Sequence, residues 1–452
     1  MAEAFSAGES VVSAERPDIR PPEPVLDIVR TLRRAGFEAW CVGGAVRDAL
    51  LGHVHLDWDL ATSATPPQVR RLFDRTVPVG IEFGTVGVLD RAGTMHEVTT
   101  FRRDVQHDGR HAVVQFGASL DEDLARRDFT INAIAFDPVT GRLHDPFGGQ
   151  ADLISRLVRA VGDPQQRMIE DRLRALRAIR FASRFDFALD AATWHAIVDS
   201  APFLSRLSPE RVKQELEKTM EQVARPSAAF RRWRDAGAFA SLIPALDTVP
   251  ESVLDALDCL PVPGISTRPQ RRGIRIAALL SDLSAGDAEA ALRALRFSNQ
   301  DIAWIGALVA RWHAEGAALG NALCDPSGLD DRSVRRLAAV VGRLRVGPFV
   351  RLAAARWNAV RTVGDAPVPE VARVRDLHRR LLRSAFRDPI AVADLAVDGD
   401  DLRHAGLRPG PHIGVMLGRL LEQVLDDPSR NSREWLLAHV MAIQAAGTAR
   451  DA

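Results

Sequence analysis

Two aspartates one residue apart, Asp57 and Asp59 around Trp58, are the strongest candidates for chemistry in this chain. On a strand, residues i and i+2 point to the same face, about 7 Å apart along the backbone. Two carboxylates so placed can share a pair of divalent cations, an arrangement that activates an attacking hydroxyl and holds a departing pyrophosphate. Taken alone, Asp-X-Asp also occurs on many solvated loops. Here, however, Gly43 and Gly44 precede it, with twelve residues between Gly44 and Asp57. A Gly-Gly turn lets backbone N–H groups approach a triphosphate with no Cβ in the way, and a helix opening behind it directs its positive end at the same phosphates. Arg47 adds a charge-assisted contact.

A second chemistry is written on the segment MIEDRLRALRAIRFASRF. Asp171 and Arg174 are three apart and share a helix face, and Arg177 and Arg180 continue at the same step. An acidic acceptor beside an arginine fork can satisfy the Watson–Crick edge of a nucleobase, so that protein replaces a template strand. An ordinary salt-bridged surface helix has the same composition.

The elements that must position these groups follow from the pattern of the chain. Residues 1–24 are rich in Ala, Ser, Glu and Pro and read as a disordered lead-in. From Val25 to Gly149 helical patterns (VLDIVRTLRRAG) alternate with β-rich runs (EAWCVGG, GTVGVLD, MHEVTTF), which predicts a mixed α/β or α+β domain. Past Gly149 strand signals stop and amphipathic helices succeed one another, while Val249–Gly273, with four prolines, reads as a linker or exposed loop. The fold class is therefore α+β: a small mixed-sheet head followed by a long all-helical body. At 452 residues and 46% apolar content, each of about three domains can bury a core.

Composition narrows the function further. Fifty-nine basic residues against fifty-nine acidic ones leave no net charge, which argues against nonspecific coating of nucleic acid. Five arginines nevertheless crowd into Glu170–Arg184. Nothing approaches the run of about 18 apolar residues of a membrane span, and the first residues lack the basic and apolar regions of an export signal. Cys41, Cys259 and Cys324 are far apart and suggest neither a disulfide framework nor a zinc knuckle, so a reducing cytoplasm is the expected compartment.

Gly43, Gly44 and then Asp57-Trp58-Asp59 resemble the signature of the polymerase beta superfamily of nucleotidyltransferases. The longer text VGGAVRDALLG followed by DWDLATSATP is similar to one branch, the class II tRNA nucleotidyltransferases and bacterial poly(A) polymerases. The resemblance implies that Asp57 and Asp59 bind the metal, Mg²⁺. A third carboxylate is common in such sites, and Glu97 in the next β-rich run is the candidate; it could equally be an exposed strand residue. The block DLARRDFTINAIAFD, through Arg126, Arg127, Asp128, Phe129, Thr130, Asn132 and Ala133, resembles the family's second motif. That likeness implies that Arg127 meets the triphosphate and Asp128 the ribose. DPFGGQADL is similar to the hinge motif, with Gly148 and Gly149 at the bend. By the same resemblance, Asp171 and Arg174 read cytosine or adenine, with Arg177 and Arg180 toward the nucleotide.

The implied organisation is a lead-in (1–24), a catalytic head (25–149), a neck that reads the base (150–225), a body (226–345) and a tail that grips tRNA (346–452). The implied reaction is template-independent addition of CCA to the tRNA 3′ end from CTP and ATP, with no membrane and no stable protein partner. Where some relatives carry a His-Asp pair for metal-dependent phosphohydrolysis, this chain has Ser281 before Asp282, so that activity is not expected. Three alternatives stand: a poly(A) polymerase, an enzyme adding only CC or only A, and, from another class, a non-catalytic RNA-binding protein. The absence of a basic GRRF-like stretch in PVGIEFGTVGV opposes the first, the loop Asp104–Gly117 favours full CCA addition, and intact aspartates oppose the last.

Overall fold

Helix α1 (Glu23–Arg34) carries Val25, Ile28, Val29 and Leu32 at helical spacing, and all four are buried. The computed structural model describes residues 19–53, 57–107, 112–263, 268–363 and 367–448. Of the expected lead-in, residues 1–18 lie outside these, and α1 begins at Glu23, two residues before the expected start at Val25. The chain divides into two compact units between Leu207 and Ser208.

The first unit is organised by a run of strands and helices that the alternating sequence pattern anticipates. It contains β1 (Ala39–Val42), α2 (Gly44–Leu50), β2 (Asp59–Thr62), α3 (Pro66–Leu72), β3 (Thr76–Gly80), β4 (Thr85–Leu89) and β5 (Met95–Thr100). These are followed by β6 (Arg102–His107), β7 (Ala112–Phe116), α4 (Leu120–Ala125), β8 (Ala135–Asp137) and β9 (Arg142–His144). Seven of the strands form one mixed sheet in the order β3-β4-β5-β2-β1-β8-β9, while β6 and β7 make a separate hairpin. Within the sheet β1 runs antiparallel to β2, with Val42 opposite Asp59, and β2 runs parallel to β5, with Leu60 opposite Val98. Val42, Ala61, Phe101 and Leu124 are buried together and fix the sheet against α4.

The strand signal does not stop entirely at Gly149. After α5 (Gly149–Ile154), the two-residue strands β10 (Leu157–Val158) and β11 (Ala188–Leu189) pair in parallel around α6 (Pro164–Glu170) and α7 (Leu173–Phe185). Strands this short carry no period for sequence reasoning to detect. Helix α8 (Ala191–Ser200) and a 3₁₀ helix at Ala201–Arg206 follow, so the boundary expected at Gly149 falls inside one compact unit.

Among the described residues the second unit is built of helices: α9 (Pro209–Gln222), α10 (Pro226–Asp235), α11 (Ala238–Leu242), α12 (Glu251–Asp258), α13 (Arg268–Leu279), α14 (Ala285–Ala294) and α15 (Asn299–Cys324). It continues with α16 (Asp331–Val341), α17 (Val346–Val363), α18 (Val371–Arg387), α19 (Gly399–His404), α20 (His412–Asp426) and α21 (Arg433–Thr448). The proline-rich stretch expected as a linker holds α12, whose Val253, Leu254 and Leu257 are buried; its residues 264–267 lie outside the described ones. Arg275 on α13 is wholly buried and donates to the carbonyls of Met220 (2.7 Å), Val223 (2.9 Å), Ala224 (3.4 Å) and Leu260 (2.9 Å). One guanidinium thereby supplies the missing donors at the C-terminal ends of α9 and α12. Burial lowers its pKa to about 10, which leaves it charged at neutral pH.

The two glycines expected at a hinge do different work. Gly148 takes a left-handed conformation (φ +71°) with open space where a Cβ would be. A Cβ on Gly149 would sit 2.2 Å from the Thr130 carbonyl oxygen and 2.8 Å from Ile134 Cγ1. Gly149→Ala must therefore push α5 off the Thr130 loop, at about 1–3 kcal/mol, whereas Gly148→Ala meets only backbone strain of about 1 kcal/mol. Urea midpoints of the two variants should rank Gly149→Ala below Gly148→Ala. The reverse order would refute the close approach.

Candidate active site

Strand β1 delivers the chain to Gly43, whose φ of +76° lies in the region that favours glycine. A Cβ there would also stand 3.0 Å from Arg127 Nη1 and 3.6 Å from Asp59 Oδ2. Turn, guanidinium and carboxylate therefore converge on one point. Gly44 opens α2, with Arg47 Nη2 3.5 Å from where its Cβ would be.

Asp59 is the first residue of β2 and half-buried; Asp57 precedes the strand and is exposed; Trp58 between them is buried at 3%. This alternation fits two carboxylates on one side and an apolar anchor on the other. Glu97 lies on β5, opposite Gly87 of β4, and the parallel register that pairs Leu60 with Val98 sets it alongside Asp59. Among the described residues no group of three or more His, Cys, Asp or Glu side chains is arranged to hold a metal ion. A two-aspartate set suits Mg²⁺, which binds one or two carboxylates and takes its other ligands from water and phosphate.

Behind the turn lies a chain of paired charges. Asp128, 9% exposed, accepts two N–H groups of Arg177 on one oxygen (2.8 and 2.6 Å) and the Phe129 amide and Asn132 Nδ2 on the other (both 2.9 Å). Burial alone raises a carboxyl pKa, but the charge of Arg177 and these hydrogen bonds outweigh it and hold Asp128 down at about 2. Asn132 Oδ1 accepts from Arg47 Nη1 at 2.5 Å, Arg47 pairs with Asp48 at 2.6 Å, and Asp48 reaches Arg184 at 3.4 Å. The Arg47 guanidinium also stacks over Phe181 and Phe185, 5.0 and 4.7 Å from their centroids. Asp123, 1% exposed, holds Arg126 (2.8 Å) and Arg127 (3.3 Å).

Several residues singled out from sequence thus have settings that sequence does not display. Arg47 is 3% exposed and turned inward, where a phosphate contact was expected. Arg177 grips Asp128, and Arg180, also 3% exposed, lies over Phe181 at 4.4 Å. Arg174 is held by Glu170 (2.7 Å) and by the carbonyls of Arg167 (3.1 Å) and Arg126 (2.9 Å), while Asp171 accepts from the Leu173 amide (3.1 Å). Glu170, Asp123 and Phe181 received no role from sequence. The single helix face expected to carry Asp171 and Arg174 is broken, because α6 ends at Glu170, Asp171 is extended and α7 begins only at Leu173; the four-residue spacing of Glu170 and Arg174 is the one signal of their pairing that the sequence offers.

The comparisons with known proteins bear directly on this site. The model of the "Poly A polymerase head domain" matches residues 39–159, and that of the "Probable RNA and SrmB- binding site of polymerase A" matches 186–249. A curated CCA-adding enzyme of Geobacillus kaustophilus is 36% identical over 429 residues, covering 94% of this chain and 98% of the relative. The chain belongs to the CCA-adding enzyme family. It is a nucleotidyltransferase, as the motifs imply. Among solved members of this family, the Bacillus stearothermophilus CCA-adding enzyme in complex with CTP is 31% identical, with a TM-score of 0.75 over 95% of this chain and 98% of that one. The Thermotoga maritima CCA-adding enzyme, solved with tRNA, shares the fold: TM-score 0.63, 23% identity, 94% and 97% coverage.

The low pKa of Asp128 has a sign that can be measured. Its folded value lies below the ordinary 3.8, so the carboxylate stabilises the fold above that pH and the contribution, roughly 2 kcal/mol, is lost as pH falls from about 4 to about 2. Thermal unfolding across that range should show a steeper acid loss for the native protein than for Asp128→Asn. Equal slopes would mean that the Arg177 pair contributes nothing.

Proposed function

We propose that this protein completes the 3′ end of tRNA by adding C, C and A from CTP and ATP, releasing pyrophosphate at each step, in the cytoplasm and without a stable protein partner. The observation that carries the reading is the convergence of Gly43, Asp59 and Arg127 on one point, in a chain covering 98% of a CCA-adding relative. Asp57 and Asp59 are the residues that would hold two Mg²⁺ ions, whose charge would lower the pKa of the tRNA 3′-OH and neutralise the leaving pyrophosphate. Glu97, alongside Asp59 in the sheet, adds negative charge to the same edge. The amides of the Gly43–Gly44 turn and the Arg127 guanidinium orient the triphosphate, with Asp123 fixing Arg127 from behind. Arg174, clamped by Glu170, and Asp171 at the start of α7 present the donor and acceptor edges that select the base. Asp128 acts mainly as the anchor of Arg177, since both its oxygens already accept two hydrogen bonds.

The purified protein with Mg²⁺ should extend tRNA that lacks its terminal CCA to that trinucleotide and stop, when given CTP and ATP together. Asp57→Ala and Asp59→Ala should each cut the rate at least about a hundredfold without lowering the unfolding midpoint. Sequencing the products decides among relatives: C-only, A-only or long A-tail products would reassign the activity, and no extension would favour an RNA-binding protein.

A further inference from the structure

Asn132 occupies a position that the catalytic reading leaves without a task. Its side-chain amide works at both ends: the oxygen accepts from Arg47 Nη1 at 2.5 Å and the nitrogen donates to Asp128 Oδ1 at 2.9 Å. A side chain of this length that accepts from a cation while donating to an anion must be a neutral amide. Aspartate would set a second carboxylate against Asp128, and alanine would leave both buried partners short of a bond.

What the amide joins is mechanically informative. Asp128 grips Arg177, and Asp48, next to Arg47, reaches Arg184. Arg177 and Arg184 are seven residues apart on α7, two turns of one face, so the helix is held at two points separated by about 10 Å. Between those points Phe181 receives the stacked Arg47. A helix attached at two points along one face can neither rotate about its axis nor slide. In the frame that holds it, Arg47 and Asp48 sit on α2 and Asp128 in the loop before β8, and the Asn132 amide bridges the two by hydrogen bonds to Arg47 and Asp128. That loop is itself pinned: the Thr130 hydroxyl donates to Asp152 (2.6 Å) and the Thr130 amide to the Arg159 carbonyl (2.9 Å).

We propose that Asn132 is a positioning residue that sets the distance between the Gly43–Gly44 turn, at the head of α2, and the base-facing start of α7, and that selection of CTP and ATP over UTP and GTP depends on it. This rests on the functional reading above and deepens it. The phosphates of a nucleotide are held at one end of the frame and its base at the other, so a shift in the frame misaligns the base edge while leaving both binding groups intact. A misplacement of about 1 Å costs on the order of a hundredfold. The effect falls on discrimination more than on the binding of triphosphate as such.

The test measures dissociation constants of the full-length protein for CTP, ATP, UTP and GTP, with no tRNA present, for the native chain and for Asn132→Ala and Asn132→Asp. Leu204→Ala, a buried apolar truncation outside the frame, controls for lost stability. The expected result is that both Asn132 variants lose at least about tenfold of the CTP-over-UTP preference, while Leu204→Ala keeps it at a comparable unfolding midpoint. Retention of the native preference in Asn132→Ala overturns the proposal, as does a native protein that does not discriminate CTP from UTP. Because binding is the readout, a protein that discriminates nucleotides but fails to extend tRNA would sink the functional reading and leave this one standing.

Discussion

The Asp128–Arg177 pair is the interaction on which the first unit's site depends. Asp128 lies in a loop of the sheet layer almost out of reach of water, Arg177 meets it from a helix with its side chain 31% exposed, and the carboxylate could not stay charged there without that partner. Asp128 also accepts from the Phe129 amide and from Asn132, so its desolvation is offset by a network and not by a single contact. Through Asn132 the network extends to Arg47 and Asp48, and through Asp48 back to the same helix. The loop of the sheet layer and the helix are thereby tied by charge as well as by the edge-on contact of Phe129 with Phe181.

Much of this was legible in the chain because glycines and carboxylates report their surroundings. Gly43 reads as a turn, and its positive φ, with the Arg127 guanidinium 3.0 Å from where a Cβ would stand, is the physical form of that reading. The alternation of Asp57, Trp58 and Asp59 reads as a strand edge, and the burial of Trp58 alone among the three follows from it. The mixed head and helical remainder were equally plain from the change of period near Gly149. What escaped is long-range pairing. The parallel register that sets Glu97 beside Asp59 joins segments 38 residues apart, and no local pattern encodes it.

Arginines were the least legible residues. Exposed and buried arginines look alike in sequence, because a long apolar stem and a charged head suit both settings. Arg47, Arg174 and Arg177 were read as facing a ligand, and the structure shows each engaged with an internal carboxylate. The clustering of five arginines on one segment was informative nonetheless: it marked a helix whose charges pair with buried carboxylates of neighbouring elements. The proline-rich stretch misled for a different reason, since Pro250 stands at the N-cap of α12, outside its hydrogen-bonded turns, and so does not interrupt the helix.

Arg275 has a consequence for how the second unit comes into being. The carbonyls it serves end α9 and α12, yet the guanidinium itself belongs to α13, up to 55 residues later than the groups it satisfies. As the chain leaves the ribosome, α9 and α12 emerge first with their terminal carbonyls bare. They must keep those groups wet, or borrow other donors, until residue 275 follows. The final pairing of these carbonyls therefore waits for α13. Two helix ends distant in sequence draw their buried donors from one side chain on a third helix.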